Sequence, residues 1–182
     1  MFKGDTYWLG LLVILLCSPA ISEQLCRTET EIPPSTPTSQ FIQHNNGTVT
    51  DTATRLVWMR CSLGQTWDGT TCQGDAQLLN WQQALQAPQT TNFAEYNNWR
   101  LPNIKELASI VEEACYNPAI NLTIFPNTPF AVGSSYWSSS QSGWSTQLLG
   151  AWVLGFNDGS KGAVGDNGQN RPVRLVRSGD YR

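Results

Sequence analysis

The cysteines constrain the fold of this chain more than any other feature of its sequence. Cys17, the first of five, ends an apolar run that begins at Trp8. The run is too short to span a bilayer, and small residues follow it up to Ser22, as at a signal-peptidase site. We therefore predict a signal peptide over residues 1–22 and an exported mature chain that begins at Glu23. That mature chain keeps an even number of cysteines, namely Cys26, Cys61, Cys72 and Cys115.

Four cysteines in an exported chain predict two disulfides, for which three pairings are possible. The stretch CSLGQTWDGTTC between Cys61 and Cys72 is polar and contains glycine, as surface loops do. A disulfide across this loop would contribute about 3 kcal/mol in the chain-entropy model. The other disulfide would then join Cys26 to Cys115 and tie the N-terminal arm to the body of the protein. We predict no zinc site, because no two cysteines have C-x-x-C spacing and His44 is the only histidine.

The clearest helix signal follows the motif NWRLP at residues 98–102. Asn103 and Glu106 have the spacing of a capping box, and apolar residues recur at helical spacing up to Val111. We predict a helix that begins after Asn103 and continues to Cys115. Its solvated face would carry two neighbouring glutamates, Glu112 and Glu113.

Other local signals predict a second helix and two hairpins. Asn80 and Gln83 form another capping box, ahead of the short run WQQALQA. Asn-Gly at 46–47 and Asp-Gly at 158–159 each separate two β-prone runs, as tight hairpin turns do. From Pro118 onward glycine, serine and asparagine dominate, which indicates short strands and loops.

These elements predict an α+β protein with two short helices and small antiparallel sheets. Residues 23–40 are rich in proline and threonine and would form an extended N-terminal arm. Residues 41–182 would form a single domain, with long loops between its elements. No segment after the signal peptide is long and apolar enough to span a membrane.

The charge of the chain argues against nucleic acid as a partner. Its formal net charge is −3, whereas nucleic-acid-binding domains are usually basic. An alternative use of positive charge is an anion-binding patch built from the C-terminal arginines. The apolar residues that alternate with them favour instead a partly exposed final strand. The arginines concerned are Arg171, Arg174, Arg177 and Arg182.

Tryptophan is the most distinctive residue type in the composition, because seven remain after signal cleavage. Indoles suit both a core and a binding surface, where they can stack on the C–H face of a sugar ring. Trp67 and Trp144 lie among polar residues and are predicted to be exposed. The others lie in apolar or element-forming stretches and are predicted core residues: Trp58, Trp81, Trp99, Trp137 and Trp152.

A series of motifs in this order resembles one known family. The motifs are GTVTDTATRLVWMRC, NWQQAL, NWRLPNIKELASIVEE, YWSSS, AWVLGFNDG and the terminal VRLVR. The sequence is similar to the C-terminal domain of the Legionella collagen-like adhesin, over about residues 40–177. The resemblance implies a C-type-lectin-like fold, related to the formylglycine-generating enzyme, with long loops gathered into a ligand face. It also implies that NWRLP is a packing motif in which Arg100 is held inside the domain.

The function that the resemblance implies is ligand binding. We expect an adhesin-like module that recognises a surface glycan, a matrix polymer or an extracellular protein. The adhesin itself has a collagen-like repeat, whereas this chain has no Gly-X-Y run, and its oligomeric state is left open. The candidate ligand face consists of Trp144, Asn157, Asp158, Lys161, Asp166, Asn167, Gln169 and Arg171.

Two other functions are alternatives to ligand binding. The domain could be a structural subunit or cap of a pilus or envelope assembly, for which an exposed apolar patch would be the sign. It could also be a glycosidase, which requires two carboxylates about 5–10 Å apart. The sequence orders no such pair among its loop carboxylates, and His44 has no nucleophile pattern around it. The cysteine pair of the formylglycine-generating enzyme is also missing from the last third of the chain, and we expect no catalysis.

Calcium is the one cofactor to weigh, because C-type lectins often hold sugars through it. The sequence FNDGS contains Asn-Asp but lacks the tryptophan and the proline loop of those lectins, and a hairpin turn explains it. Asp166 and Asn167 could supply oxygen ligands, although such loops are as common without metal. We therefore expect no obligatory cofactor.

Overall fold

The computed structural model describes residues 23–131, 134–143, 150–165 and 168–179. It confirms the predicted α+β class, with two short helices, small antiparallel sheets and two disulfides. The helices are α1 (Trp81–Gln86) and α2 (Ile104–Ala108). The strands are β1 (Leu25–Cys26), β2 (Phe41–Gln43), β3 (Thr48–Asp51), β4 (Leu56–Met59), β5 (Thr66–Trp67), β6 (Cys72–Gln73), β7 (Cys115–Tyr116), β8 (Ser135–Ser142), β9 (Gly150–Gly155), β10 (Lys161–Gly165) and β11 (Val176–Ser178). Within these ranges no helix has the length and apolar character needed to cross a bilayer.

Two larger sheets organise the domain. The first has the strand order β11-β4-β3-β2, and the second has the order β10-β9-β8; all pairs are antiparallel. The first and last strands of the domain, β2 and β11, therefore share a sheet but lie at its opposite edges. The strands β1 and β7 pair near the N-terminal arm, and β5 and β6 form a short ribbon inside the Cys61–Cys72 loop.

Both hairpins predicted from dipeptide signals are confirmed. In the β2–β3 turn, Oδ1 of Asn46 accepts hydrogen bonds from the backbone and hydroxyl of Thr48. Gly47 has a φ of +81°, and a Cβ there would come within 2.8 Å of the Trp67 ring. In the β9–β10 turn, Asp158 accepts from the backbone N–H of Ser160.

Both capping boxes are also present, at Asn80 with Gln83 and at Asn103 with Glu106. The prediction that α2 continues to Cys115 is wrong, because the helix ends at Ala108. Just beyond it Ser109 and Val111 still donate to carbonyls of the preceding turn, and the chain then bonds to residues outside that turn. The N–H of Glu112, for example, donates to the carbonyl of Ala119.

The core consists of two apolar clusters that lie on opposite faces of β4 and β9. Trp58 and Leu154 belong to the first cluster, whereas their neighbours Val57 and Val153 belong to the second. Because successive strand residues point to opposite faces, strands covered on both sides need continuous apolar runs. This explains the runs LVWM and AWVLGF. Helix α2 adds Leu107 to the first cluster, and α1 adds residues to the second, Trp81 and Ala84.

Four of the five tryptophans predicted as core residues are buried: Trp58, Trp81, Trp99 and Trp137. Trp152 is a correction, because its side chain is 38% exposed. Trp67, predicted to be exposed, is half-buried; Arg60 lies 4.2 Å above its ring and its indole N–H donates to Asn45. Trp144 lies outside the described residues.

The C-terminal arginines also depart from prediction, because Arg171, Arg174 and Arg177 are all buried rather than partly exposed. Only the last of these lies in a strand, β11. Each guanidinium lies against an aromatic ring, that of Trp137, Phe125 or Tyr96 respectively. Stacking and backbone carbonyls replace water as partners of these charges. Arg182 lies outside the described residues.

The motif NWRLP packs through Trp99, whereas Arg100, which the resemblance placed inside the domain, has a side chain that is 41% exposed. Trp99 is buried, and its indole N–H donates to the carbonyl of Phe93. Arg100 forms two hydrogen bonds of 2.7 and 2.6 Å with Glu106, the same residue that completes the α2 capping box. The pKa of Arg100 is raised mainly by these bonds.

Two clamps attach the N-terminal arm to the domain. One is the disulfide between Cys26 and Cys115, in the pairing expected together with Cys61–Cys72. The other is Glu112, which is buried rather than on a solvated helix face as predicted. Its carboxylate accepts hydrogen bonds from the backbone and hydroxyl groups of Ser35 and Thr36. Its neighbour Glu113 is exposed but is not in a helix.

Candidate ligand-binding site

The described residues of the predicted ligand face converge around the turn between β9 and β10. In the three-stranded sheet, Ser135 of β8 lies opposite Gly155, and Lys161 of β10 lies opposite Leu154. A cleft of about 240 Å³ opens at this end of the sheet. Its lining residues are Ser134, Ser135, Val153, Gly155, Asn157, Ser160, Lys161 and Gly162.

Glycine at position 155 gives the Asn157 side chain room to approach the strand. A Cβ at residue 155 would lie 2.6 Å from Oδ1 of Asn157, which is closer than non-bonded atoms tolerate. Because Gly155 has no side chain, the Asn157 amide can lie against the strand and line the cleft. The exposed side chain of Lys161 begins the next strand and lines the same cleft.

Asp158 shapes the turn and does not line the cleft. The hydrogen bonds that Ser160 donates to its carboxylate lower the pKa of Asp158. The charge on Asp158 therefore persists at neutral pH, at an exposed position beside the cleft. The next residue, Gly159, has a φ of +76° that a left-handed turn position requires.

Gln169 and Arg171 reach the cleft indirectly, through Ser135. Arg171 donates one hydrogen bond to the Ser135 hydroxyl and another to the Gln169 side chain. Its guanidinium lies 5.2 Å from the centre of the Trp137 ring, and burial lowers its pKa. Arg171 therefore supports one wall of the cleft from behind.

The structure thus brings together five of the eight predicted residues around one turn. Of these, Asn157 and Lys161 line the cleft, and Asp158, Gln169 and Arg171 surround it. Trp144, Asp166 and Asn167 lie outside the described residues.

Sequence reasoning missed the hydroxyl groups of Ser134, Ser135 and Ser160. Serine clusters are common in loops, so the residues themselves carried no specific signal. Only the pairing of β8 with β9 places Ser135 at the cleft. A sequence signal that predicted strand pairing between YWSSS and AWVLGF would have been the one usable indication of where Ser135 lies.

The chemistry of the cleft is that of a hydrogen-bonding site. Hydroxyl groups, one amide and one ammonium line it, and its described lining includes neither a carboxylate nor an aromatic ring. Such groups suit a ligand that is rich in oxygen atoms. Within the described ranges, no group of three His, Cys, Asp or Glu residues is placed to hold a metal ion.

At least four other cavities are larger than this cleft, at about 540, 500, 490 and 260 Å³. The one of about 540 Å³ lies beside Trp99 and Arg100, where the ion pair with Glu106 holds the start of α2. The one of about 490 Å³ lies beneath the N-terminal arm and includes Glu112, which already binds that arm. The cleft at the β9–β10 turn is our candidate because two residues of the predicted ligand face, Asn157 and Lys161, line it.

Comparison with known proteins gives one family and no individual relative. The family model of the Lcl C-terminal domain matches residues 47–177. The match includes both larger sheets apart from β2 and the last residue of β11, and it includes the whole candidate cleft. No curated protein matches the chain.

Proposed function

Because this chain belongs to the Lcl C-terminal domain family, we propose that it is an exported, non-catalytic domain of the adhesin type. Its ligand is a glycan, which it binds through the cleft at the β9–β10 turn. The family association with an adhesin supports the class of function. The polar lining of the cleft supports the class of ligand.

One observation carries this proposal, the convergence of Ser135 of β8 with Asn157 and Lys161 of the β9–β10 hairpin, two separate stretches of chain. Their hydroxyl, amide and ammonium groups match the hydroxyl-rich edge of a saccharide, which both donates and accepts hydrogen bonds. A catalytic role in hydrolysis would require paired carboxylates, which the described lining does not contribute.

Export is supported by two features. The disulfides Cys26–Cys115 and Cys61–Cys72 are of the kind that persist in oxidising compartments. The predicted signal peptide over residues 1–22 would direct the chain there. The mature protein would act in the periplasm, at the cell surface or after secretion.

A glycan array tests the proposal directly. The oxidised mature domain is screened with calcium and with chelator, and we expect selective binding. Lys161→Ala and Asn157→Ala should each weaken that binding by about tenfold, since each removes one or more hydrogen bonds to the ligand.

Lys105→Ala is the matched control, because Lys105 is another exposed lysine, placed on α2 away from the cleft lining. It should leave affinity unchanged. An array without binding, on a domain shown to be folded and oxidised, would refute the proposal. Loss of binding with chelator would add calcium to the site.

A second candidate function is assembly into a larger envelope structure. Leu25 and Tyr116 lie opposite each other on β1 and β7 and are 48% and 47% exposed. Paired exposed apolar side chains favour contact with another protein. Light scattering of the wild type and of Leu25→Ser would test this, because assembly through the pair predicts an oligomer that the variant loses.

A further inference from the structure

We infer that Trp152 is the surface on which a sugar ring stacks, an inference that rests on the glycan-binding function proposed above. Trp152 was expected in the core, yet it is the most exposed tryptophan among the described residues. It lies in β9, the central strand of its sheet, where side chains are usually covered. An indole that is both rigid and exposed there calls for a ligand.

The sheet fixes the backbone of Trp152. The residue pairs with Ala163 of β10, and its carbonyl accepts a 2.7 Å hydrogen bond from the Ser138 hydroxyl of β8. The indole itself has only two side-chain torsions, so it loses little conformational freedom when a ligand binds.

Small neighbours leave one side of the indole uncovered. Ala163 lies directly opposite, and the next pair on the same face is Gly150 with Gly165. A Cβ at Gly165 would meet no described residue within 4 Å, whereas one at Gly150 would lie 2.5 Å from the Ser142 hydroxyl, so the open space is on the Gly165 side of the pair. On the other side, the pairing of β8 is irregular between Trp137 and Gln141, which leaves no regular partner opposite Trp152.

The exposed area indicates the size of the ligand. At 38% exposure, the indole presents on the order of 100 Å². A stable protein interface needs about 800 Å² on each partner, so the indole alone is far too small for one. A single pyranose ring, stacked through its C–H face, fits this area.

Lys161 supplies a polar partner for the same ring. It is two residues from Ala163 along β10, so it is a diagonal neighbour of Trp152 at about 7–8 Å between strands. Its long side chain can reach a hydroxyl group at the edge of a ring stacked on Trp152. Trp152 and the cleft-lining Val153 are successive residues of β9, so the indole lies on the opposite face of the sheet from the cleft, and Lys161 lies on the outer strand between the two. The ligand class is thus a saccharide with a continuous C–H face.

The test uses the glycan that gives the strongest array signal. Its affinity is measured for the wild type, Trp152→Ala, Trp152→Phe and Ile42→Ala. We expect Trp152→Ala to lose about tenfold or more, and Trp152→Phe to retain most of the affinity because a phenyl ring still stacks. Ile42, a 54% exposed apolar residue on the edge strand β2, is the control and should have no effect.

NMR gives a second measurement that does not depend on Trp152→Ala folding. The indole N–H signal of Trp152 is assigned by its absence from the Trp152→Phe spectrum. Addition of the glycan should shift this signal, and the absence of a shift would overturn the inference. If Trp152→Ala folds and binds like wild type while Lys161→Ala loses binding, the stacking role fails but the proposed function stands. If no glycan binds the folded domain, both fail.

Discussion

Arg174 carries a positive charge into the centre of the molecule without a carboxylate beside it among the described residues. Its guanidinium donates to the carbonyls of Met59 and Arg60 and to the hydroxyl of Thr128, and it lies 4.8 Å from the Phe125 ring centre. Burial lowers the pKa of this arginine. The side chain joins the end of β4 to the loop ahead of β8, two segments that share no strand pairing.

Replacing Arg174 by Met keeps most of the volume but removes all donors. The buried carbonyls of Met59 and Arg60 would lose this donor, while the Thr128 hydroxyl would keep its bond to the carbonyl of Phe125. We expect the free energy of unfolding to fall by about 3 kcal/mol, measured by urea denaturation. Arg27→Met, at an exposed arginine of the arm, should change it by less than about 0.5 kcal/mol. Equal stability of the two variants would contradict a contribution of the Arg174 guanidinium to the free energy of unfolding.

At the scale of elements, the carboxylate of Glu112 acts together with the Cys26–Cys115 disulfide to hold the N-terminal arm. Burial opposes ionisation of Glu112, but the N–H groups of Ser35, Thr36 and Ala114 together outweigh it and lower its pKa. A carboxyl group whose pKa is lower in the folded state stabilises that state above its ordinary pKa. This contribution is lost as the pH falls through the folded-state pKa.

Glu112→Gln should therefore destabilise the protein at pH 7 but less in acid, as the pH falls through the folded-state pKa of the wild-type carboxyl. The expected difference at pH 7 is about 2 kcal/mol in urea denaturation, typical of hydrogen bonds to a charged group. The exposed neighbour offers a matched control, and Glu113→Gln should leave the pH dependence of wild type intact. A Glu112→Gln deficit that stays the same as the pH falls would contradict this account.

How well the sequence predicted these elements depended on the separation in sequence between the residues that bond to each other. The Asn103–Glu106 box and the Asn46-Gly47 turn each involve residues within three positions, and both formed as predicted. Glu112 bonds to Ser35, 77 positions away, and Arg174 bonds to Met59, 115 positions away. No local sequence pattern indicates such distant partners. The predicted α2 was therefore too long, and the predicted exposure of the C-terminal arginines was too high.

The residues of the candidate site also divide into those with local partners, which were predicted, and those with distant partners, which were not. Asn157 and Lys161 belong to one hairpin and were predicted from it, whereas Ser135 arrives through the pairing of β8 with β9. Trp152 looked like a core residue because its neighbours in sequence are apolar. Its exposure follows from the small Ala163 on the next strand and the irregular pairing of β8, which are properties of the sheet.

At the scale of the whole molecule, the two disulfides differ in accessibility. Cys61 and Cys72 are 2% and 1% exposed, whereas Cys26 is exposed and Cys115 half-buried. Because thiol exchange requires access to a sulfur atom, a mild reductant should open Cys26–Cys115 first in the folded protein. Alkylation followed by mass spectrometry should find the first labels on that pair. Labels that appear first on Cys61 and Cys72 would contradict the buried position of that pair.

The order β11-β4-β3-β2 has a consequence for how the protein is made. A ribosome synthesises β2, β3 and β4 early, but one edge of their sheet stays open until Val176 and its neighbours exist. Val173 and Leu175 also complete the second cluster, so neither the sheet nor the core can close before then. Such distant contacts form slowly and late. We therefore expect the chain to complete its fold only at the end of its synthesis, and an incompletely folded chain is the state that a narrow translocation pore can thread.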